Sequence, residues 1–306
     1  MNTHQQTGLS NAGQIQGSLI EVNKKMLWVE QEGTGEPLVL LAGGPAASHL
    51  IFQPYFSRLA RHYRVIYFDY FGRGKSERPA DYKDVTFAGD VEDLEALRIA
   101  LGFNKINIYG FSYGGMVAQA YALKYGENVK HLALANTLHS PEMWQKNHEN
   151  INREISNQYP EVWDRIMELR VQGFHSNDIE MRQQFNSVST NLLLRFYNPE
   201  NAAELLDGKW APNLDLYFEF TGNDIDFFLG NEVSTLPDFR PRLKELKMPV
   251  LIMAGRYDRA LYPRYQMDFK RYCPQAAFMI FEKSGSFIHI EEQERLFEIM
   301  THFLEK

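Results

Sequence analysis

The chain has 306 residues, of which 44% are hydrophobic, and its formal net charge is -7 at pH 7. This length and apolar content predict a globular protein with one large α/β domain and an insertion, or with two smaller domains. The acidic balance, without a long run of Lys or Arg, excludes a surface for nucleic acid or for an anionic membrane and favours a small-molecule or short peptide substrate.

The chain begins with a polar segment, residues 1–18, in which we expect a flexible tail because hydrophobic periodicity is missing. The segment lacks the charged-then-apolar order of a signal peptide, so we expect the protein to be cytoplasmic. No later run of about 18 apolar residues predicts a membrane span. The single cysteine, Cys273, excludes an intrachain disulfide.

Short apolar runs that end at breaker residues predict strands of a parallel sheet. Such runs occupy residues 19–22, 26–29, 37–41, 64–68, 106–109, 132–134, 250–253 and 278–281. Helical patterns follow at residues 52–61 and 87–101. Because strands and helices alternate, we predict an α/β fold, a mostly parallel sheet with helices on both faces, built from residues 19–139 and 237–306.

The alternation stops between residues 140 and 236, where helical patterns and aromatic residues dominate. The aromatic residues include Trp144, Tyr159, Trp163, Phe174, Phe185, Phe196, Tyr197 and Trp210. A solvated linker would not carry so many large apolar side chains. We therefore predict a helical cap over one edge of the sheet, and we expect it to act as a lid.

The stretch G-F-S-Y-G-G, from Gly110 to Gly115, follows a predicted strand and precedes a predicted helix. Small residues two before and two after Ser112 permit the sharp turn of a nucleophile elbow, which presents the serine hydroxyl above the sheet. The N-terminus of the next helix also favours developing negative charge. The pattern predicts Ser112 as a catalytic nucleophile; the alternative is a tight turn that happens to contain a serine.

A hydrolytic serine needs N–H donors for the oxyanion that forms during attack. The amide of Tyr113, directly after the serine, is the first candidate. Gly43 and Gly44 follow an earlier strand, where their backbone can approach a substrate closely, and the N–H of Gly44 is the predicted second donor. The alternative is that these glycines serve only to form a turn.

The residue that orients the base should follow a late strand, and Asp258 does so. The order of serine, aspartate and then a C-terminal base is the order of this kind of site. We predict Asp258 as the orienting acid. The alternative is a loop aspartate that pairs with Arg256 or Arg259.

Together these motifs resemble the α/β-hydrolase fold and, within it, the proline iminopeptidase-like serine aminopeptidases. The resemblance covers residues 19–306 and rests on four stretches, namely Gly43-Gly44-Pro45, D-Y-F-G-R-G-K-S from Asp69 to Ser76, the elbow, and Gly255 to Asp258. Ala42 and Ala46 depart from the His and Gly that flank G-G-P in the family.

The resemblance implies a histidine base in a G-H-x-x-x-x-E pattern after the last strand. Aligning Gly285 and Glu291 places this base at position 286, where the chain has Ser286. A hydroxyl cannot replace imidazole as a proton acceptor at pH 7. Either the base has been replaced, which leaves an inactive or trapped variant, or His289 has taken its role. The resemblance favours replacement, because many members carry a second histidine at the position of His289.

The family typically binds the free α-amine of its substrate with acidic residues, one from the cap and one just after the orienting acid. Glu219, Asp224 and Asp226 are available in the cap, and Asp226 is our candidate. The residue after Asp258 is instead a cation, Arg259. Arg259 could receive a substrate carboxylate or carbonyl, or it could point to solvent or pair with an acidic residue of the cap.

The sequence thus predicts a serine hydrolase that cleaves an amide or ester of a small substrate, most closely an aminopeptidase or amidase. The alternatives are an esterase or lactonase with the same nucleophile, and a ligand-binding protein that has lost catalysis. We expect no metal and no other cofactor, because the histidines show no ligand spacing.

Overall fold

An eight-stranded sheet organises the computed structural model, which describes residues 15–187, 190–206 and 212–306. Its strands are β1 Gln16–Val22, β2 Lys25–Glu32, β3 Glu36–Leu41, β4 Tyr63–Phe68, β5 Ile106–Phe111, β6 Val129–Ala135, β7 Val250–Gly255 and β8 Ala277–Phe281. The spatial order is β1-β2-β4-β3-β5-β6-β7-β8. The β1–β2 and β2–β4 pairs are antiparallel and the others are parallel, which confirms the predicted mostly parallel sheet.

The strands begin earlier or end later than the apolar runs that predicted them. The earlier start of β1 extends into the predicted tail, because Gly17 pairs with Glu30 and Ser18 pairs with Val29. An edge strand with one solvated face is held by its backbone, so small polar residues can extend it. The tail boundary at residue 18 is therefore too late, while residues 1–14 lie outside the described residues.

The helices follow in chain order: α1 Phe87–Ala100, α2 Tyr113–Lys124, α3 Pro141–Gln158, α4 Pro160–Val171, α5 Ile179–Asn186, α6 Thr190–Leu193, α7 Ala203–Leu206, α8 Leu214–Thr221, α9 Asn231–Ser234, α10 Pro263–Tyr272, α11 Ile288–Glu291 and α12 Gln293–Leu304. The helix predicted over residues 52–61 is wrong, since only short 3₁₀ turns lie at His49–Phe52 and Leu59–Arg61. Gln53 is extended because it precedes Pro54, which disfavours helix.

Helices cover both faces of the sheet, as the sequence predicted. In β3, Leu38 and Leu40 point to one face while Val39 and Leu41 point to the other. The face of Val39 packs against α1, α2 and α10, and the opposite face packs against α12. Both faces of the central strands are thus buried, and the loops at the carboxyl ends of the strands remain free to build a site.

The segment between β6 and β7 carries helices α3 to α9 and has an apolar core of its own. That core includes Ile151, Ile155, Ile166, Leu169, Met181 and Phe185. Trp210, one of the aromatic residues that predicted the cap, lies outside the described residues. Among the helices of the described residues, none combines the length and apolar character needed to cross a bilayer.

Candidate active site

Ser112 lies at the junction of β5 and α2, in an uncommon backbone conformation. Its φ is 50° and its ψ is -119°, a region that residues with a side chain rarely adopt. The N–H of Ser112 donates to the carbonyl of Ala135 at 3.1 Å, and the N–H of Gly115 donates to the Ser112 carbonyl at 2.9 Å. The hydroxyl makes no capping hydrogen bond and the residue is half-buried. Such a strained, accessible serine is the geometry that a nucleophile elbow requires.

The loop after β3 passes directly over this elbow. A Cβ on Gly43 would lie 3.0 Å from the Cβ of Ser112 and 2.5 Å from a ring atom of Phe111, so only glycine fits there. Gly44 is half-buried, and no loop hydrogen bond of the described residues uses its N–H. Tyr113 is the first residue of α2, so its N–H has no partner within the helix. This arrangement suits both predicted oxyanion donors.

The carboxylate of Asp258 is buried and held in one orientation. Its Oδ1 accepts the N–H groups of Ala260 at 2.9 Å and Leu261 at 2.8 Å, and its Oδ2 accepts Nδ2 of Asn136 at 2.9 Å. Burial raises the pKa of Asp258, while the Leu261 amide and the other donors oppose that rise. The three hydrogen bonds orient the carboxylate without any contribution from a histidine.

Asn136 is a site residue that the sequence did not predict. It follows β6 with a φ of 43°, and its Nδ2 also approaches the carbonyl of Gly285 at 3.4 Å. The side chain thereby joins the loop of Asp258 to the loop of position 286. The available signal was an asparagine, a residue that tolerates positive φ, at the carboxyl end of a central strand.

Ser286 lies beside Asp258, as the resemblance implied for the base. It is only 4% exposed, and its N–H donates to the carbonyl of Arg195 at 2.7 Å. Glu291 closes the loop by accepting the N–H of Gly285 at 2.7 Å, which supports the alignment. The hydroxyl of Ser286 lies beside the carboxyl group of Asp258 and lowers its pKa. Position 286 thus presents a hydroxyl, and not an imidazole, beside Asp258.

His289 is fully buried among aromatic rings. The ring centroids of Phe52, Phe56 and Phe111 lie 5.6, 6.0 and 5.2 Å from its own, and its Nε2 donates to the carbonyl of Ile51 at 3.2 Å when the proton is assigned to Nε2. Burial lowers the pKa of His289 to about 3. A group with so low a pKa is a weak proton acceptor near pH 7. These surroundings favour a packing role for His289 over a role as the base.

We expect His289 to make the folded state less stable as the pH falls from 6.5 towards 3. Over this range its imidazole is protonated in the unfolded chain, where the pKa is 6.5, but neutral in the folded chain, where the pKa is about 3. Unfolding then takes up one proton, so the free energy of unfolding falls by about 1.4 kcal/mol per pH unit on acidification.

Urea unfolding between about pH 7 and pH 4 measures this slope. His289→Phe keeps an aromatic ring among Phe52, Phe56 and Phe111. It should reduce the slope of the free energy of unfolding against pH by an amount that corresponds to about one proton. His302→Ala removes an exposed histidine and should leave the slope unchanged. Equal slopes for the original chain and for His289→Phe would contradict the assignment of a neutral, buried imidazole.

The cap brings a cation to the site that the sequence also did not predict. Burial lowers the pKa of Arg195, and the charges of Asp258 and Asp226 oppose this because both lie close to the guanidinium. Burial raises the pKa of Tyr217, and Asp226 raises it further. Arg195, Tyr217 and Asp226 therefore lie close to one another, and we call them the cap cluster; of the three, Arg195 also acts on Asp258. The signal was a lone arginine in the apolar run from Leu192 to Phe196.

Asp226, the candidate amine-binding residue, belongs to this cap cluster. Its Oδ1 lies 3.7 Å from Nδ1 of His148, and Nε2 of His148 accepts the indole N–H of Trp144 at 3.2 Å. The Trp144 ring in turn packs edge-on against the ring of Tyr113, with centroids 6.2 Å apart. The lone pair of His148 is engaged by Trp144, so this histidine does not replace the missing base.

Arg259 points to the cap, which is nearer to the second of the two alternatives left open by the sequence. Its Nη1 donates to Oε1 of Gln158 at 3.2 Å, at the exposed C-terminal end of α3. The cation whose charge acts on the orienting acid is Arg195 instead. The structure thus places Ser286 and Arg195 beside Asp258, while Arg259 binds the surface of the cap.

Comparisons with known proteins agree with this architecture. The profile of the alpha/beta hydrolase fold family matches residues 36–293. A proline iminopeptidase from Heyndrickxia coagulans is 28% identical over 278 residues, which cover 90% of this chain and 92% of that protein. One from Saccharolobus solfataricus is 28% identical over 285 residues, with coverages of 90% and 86%.

Solved structures show the same fold. VinJ superposes with a TM-score of 0.77 at 21% identity, and the proline iminopeptidase of Mycobacterium smegmatis with 0.75 at 21%; each match covers 95% of this chain and 98% of the other. With the family profile spanning most of its length, and with curated relatives that include proline iminopeptidases, this chain belongs to the alpha/beta hydrolase fold family.

Proposed function

We propose that the protein is built as a serine hydrolase for an amide or ester of a small substrate, most closely an aminopeptidase, and that the chain is nearly inactive because the base is missing. The observation that carries this proposal is the buried Ser286 beside an intact, hydrogen-bonded Asp258. The strained elbow at Ser112 supports the nucleophile, and the loop of Gly44 supports the oxyanion site.

The site geometry suggests where the reaction stops. Attack of Ser112 Oγ on a carbonyl carbon forms a C–O bond and sends the carbonyl electron pair to the oxygen, which the N–H groups of Gly44 and Tyr113 would stabilise. The hydroxyl proton must pass to a base and then to the leaving amine or alcohol. Ser286 cannot accept it at neutral pH. In this proposal the site still binds substrate and stabilises the oxyanion, but it lacks efficient proton transfer.

Asp226 is the proposed partner for a positively charged α-amine of the substrate. Its support is that the residue is mostly buried in the cap and that its charge acts on Arg195, whose guanidinium also acts on Asp258. A charged hydrogen bond of this kind contributes about 1.5 to 3 kcal/mol to binding, which corresponds to tenfold or more in affinity.

The expectation of a cytoplasmic location stays a prediction from the N-terminal sequence.

We expect Asp226→Asn to lower kcat/KM for a free-amine substrate about tenfold or more, when measured in a Ser286→His background. The substrate pair is proline p-nitroanilide and its N-acetyl derivative, and the acetylated compound should be unaffected because it carries no charge. Asp224→Asn is the matched control, since Asp224 already pairs with Arg170 at 2.5 Å. Equal losses on both substrates would argue against amine recognition by Asp226.

A ligand-binding protein is the second candidate function. The observation in its favour is again Ser286, because a site that cannot transfer a proton can still hold a ligand. In that case a histidine at position 286 would not create turnover, and the original chain would bind small amides or esters without covalent labelling of Ser112. Turnover and labelling of the Ser286→His chain separate the two functions.

A further inference from the structure

A buried ion pair lies next to the oxyanion loop and outside the residues assigned to catalysis so far. Arg73 is 0% exposed and Asp90 is 2% exposed. The guanidinium binds the carboxylate through two parallel contacts, Nη1 to Oδ1 and Nη2 to Oδ2, both at 2.9 Å. We propose that this pair is a positioning device that holds both N–H donors of the oxyanion hole. The inference rests on the proposed function of Gly44 and Tyr113.

Arg73 fixes the first donor loop. Its Nε donates to the carbonyl of Pro45 at 2.7 Å, and Pro45 directly follows Gly44. The proline ring fixes the φ of Pro45 and restricts the residue before it, so the anchored carbonyl limits how far the loop that carries the Gly44 N–H can shift. A second anchor runs from Nη1 to the carbonyl of Phe71 at 2.7 Å. The oxyanion loop is therefore tied to the arginine and not merely packed against it.

Asp90 fixes the second donor. The phenol of Tyr113 donates to Oδ2 of Asp90 at 2.5 Å, and Tyr113 carries the backbone N–H that follows the nucleophile. The ring of Phe220, from α8 of the cap, packs edge-on against Tyr113 with centroids 5.6 Å apart and lies 5.7 Å from the Arg73 guanidinium. One ion pair thus connects the two loops whose amides must converge on a single oxygen atom.

The energetics favour positioning over stability as the reason for this pair. Burial raises the pKa of Asp90, and Arg73 opposes that rise, so the charges are costly to bury and only partly compensated. Buried ion pairs can often be replaced by apolar residues without loss of stability. An apolar pair could fill the space, but it could not hold a carbonyl and a phenol hydroxyl at once. The hydrogen-bonding capacity is what the site needs from these residues.

The gentlest test removes one hydroxyl. In a Ser286→His background, Tyr113→Phe should lower kcat about tenfold while KM stays within about twofold, because the donors are needed mainly when the oxyanion forms. Arg73→Lys keeps the positive charge but loses the planar guanidinium that binds both carboxylate oxygens of Asp90, and it should lower kcat further. Tyr121→Phe is the matched control: on the same helix, Tyr121 donates to Glu95 of α1 at 2.6 Å, and kcat should not change.

A second measurement, hydrogen exchange, uses the chain with its original Ser286 and does not depend on turnover. Hydrogen exchange of the amides in residues 41–48 should be faster in Tyr113→Phe than in Tyr121→Phe. Without the phenol hydroxyl, Asp90 is held less tightly, so Arg73 and the loop that it binds become more mobile. Unchanged exchange in that loop, or an equal fall in kcat for both variants, would overturn the positioning role. Should Ser286→His prove inactive, the proposed function fails and the exchange result alone decides this inference.

Discussion

Ser286→His is expected to raise the turnover of small ester and amino-acyl amide substrates by roughly 10³-fold or more. The expectation follows from the cost of the opposite change, since removing the histidine of the serine triad in subtilisin lowers kcat by about 10⁶-fold. Asp258 is already oriented by three hydrogen bonds, so the imidazole of a histidine at position 286 could donate a hydrogen bond to a fixed carboxylate. Initial rates with p-nitrophenyl esters and proline p-nitroanilide measure the change.

The controls for this prediction examine the other buried histidines near the site. His289→Ala and His148→Ala, each made in the original chain, should leave its low activity unchanged, because both imidazoles are engaged away from Asp258. One specific result would contradict this prediction. If the original chain is already a good catalyst and His289→Ala abolishes turnover, then His289 is the base and the alignment of the loop from Gly285 to Glu291 is wrong.

Ser112→Ala is expected to abolish the activity that Ser286→His creates and to return kcat at least to the level of the original chain, because removing the serine or the histidine of such a triad costs about the same. The elbow offers no other group that can attack a carbonyl carbon, so only the residual effect of the oxyanion donors would remain. Steady-state turnover and labelling by a fluorophosphonate probe both report on the hydroxyl of Ser112. Ser234→Ala, which changes an exposed serine of α9, should affect neither measurement.

The two measurements together separate an enzyme from a binding protein. Labelling of the Ser286→His chain that disappears with Ser112→Ala supports a serine hydrolase whose base has been lost. Turnover that survives Ser112→Ala would reject Ser112 as the nucleophile. A Ser286→His chain that binds small amides yet shows neither labelling nor turnover would favour the ligand-binding function.

The fold could be predicted because its signals are local. Central strands buried on both faces leave apolar runs, and breakers such as Gly43 mark their ends. The N-terminal extension of β1 left no such trace, since an edge strand needs only its backbone. The 52–61 segment has a helical pattern of apolar residues, but Pro54 outweighs it.

The candidate site was predictable only in part, for a related reason. Ser112, Asp258 and position 286 follow strands at recognisable spacings. Arg195 comes from the cap, and its approach to Asp258 depends on how segments far apart in sequence pack together. Periodicity reports which face of a helix is apolar, but it does not report which distant residue that face meets.

The way in which Asp258 is anchored has a consequence for how the protein changes through mutation. Two backbone amides and the amide of Asn136 donate to the carboxylate, and all three belong to residues other than 286. The carboxylate therefore keeps these three hydrogen bonds whichever side chain occupies position 286. We expect substitutions at that position to change the chemistry beside Asp258 more than they change the stability of the fold.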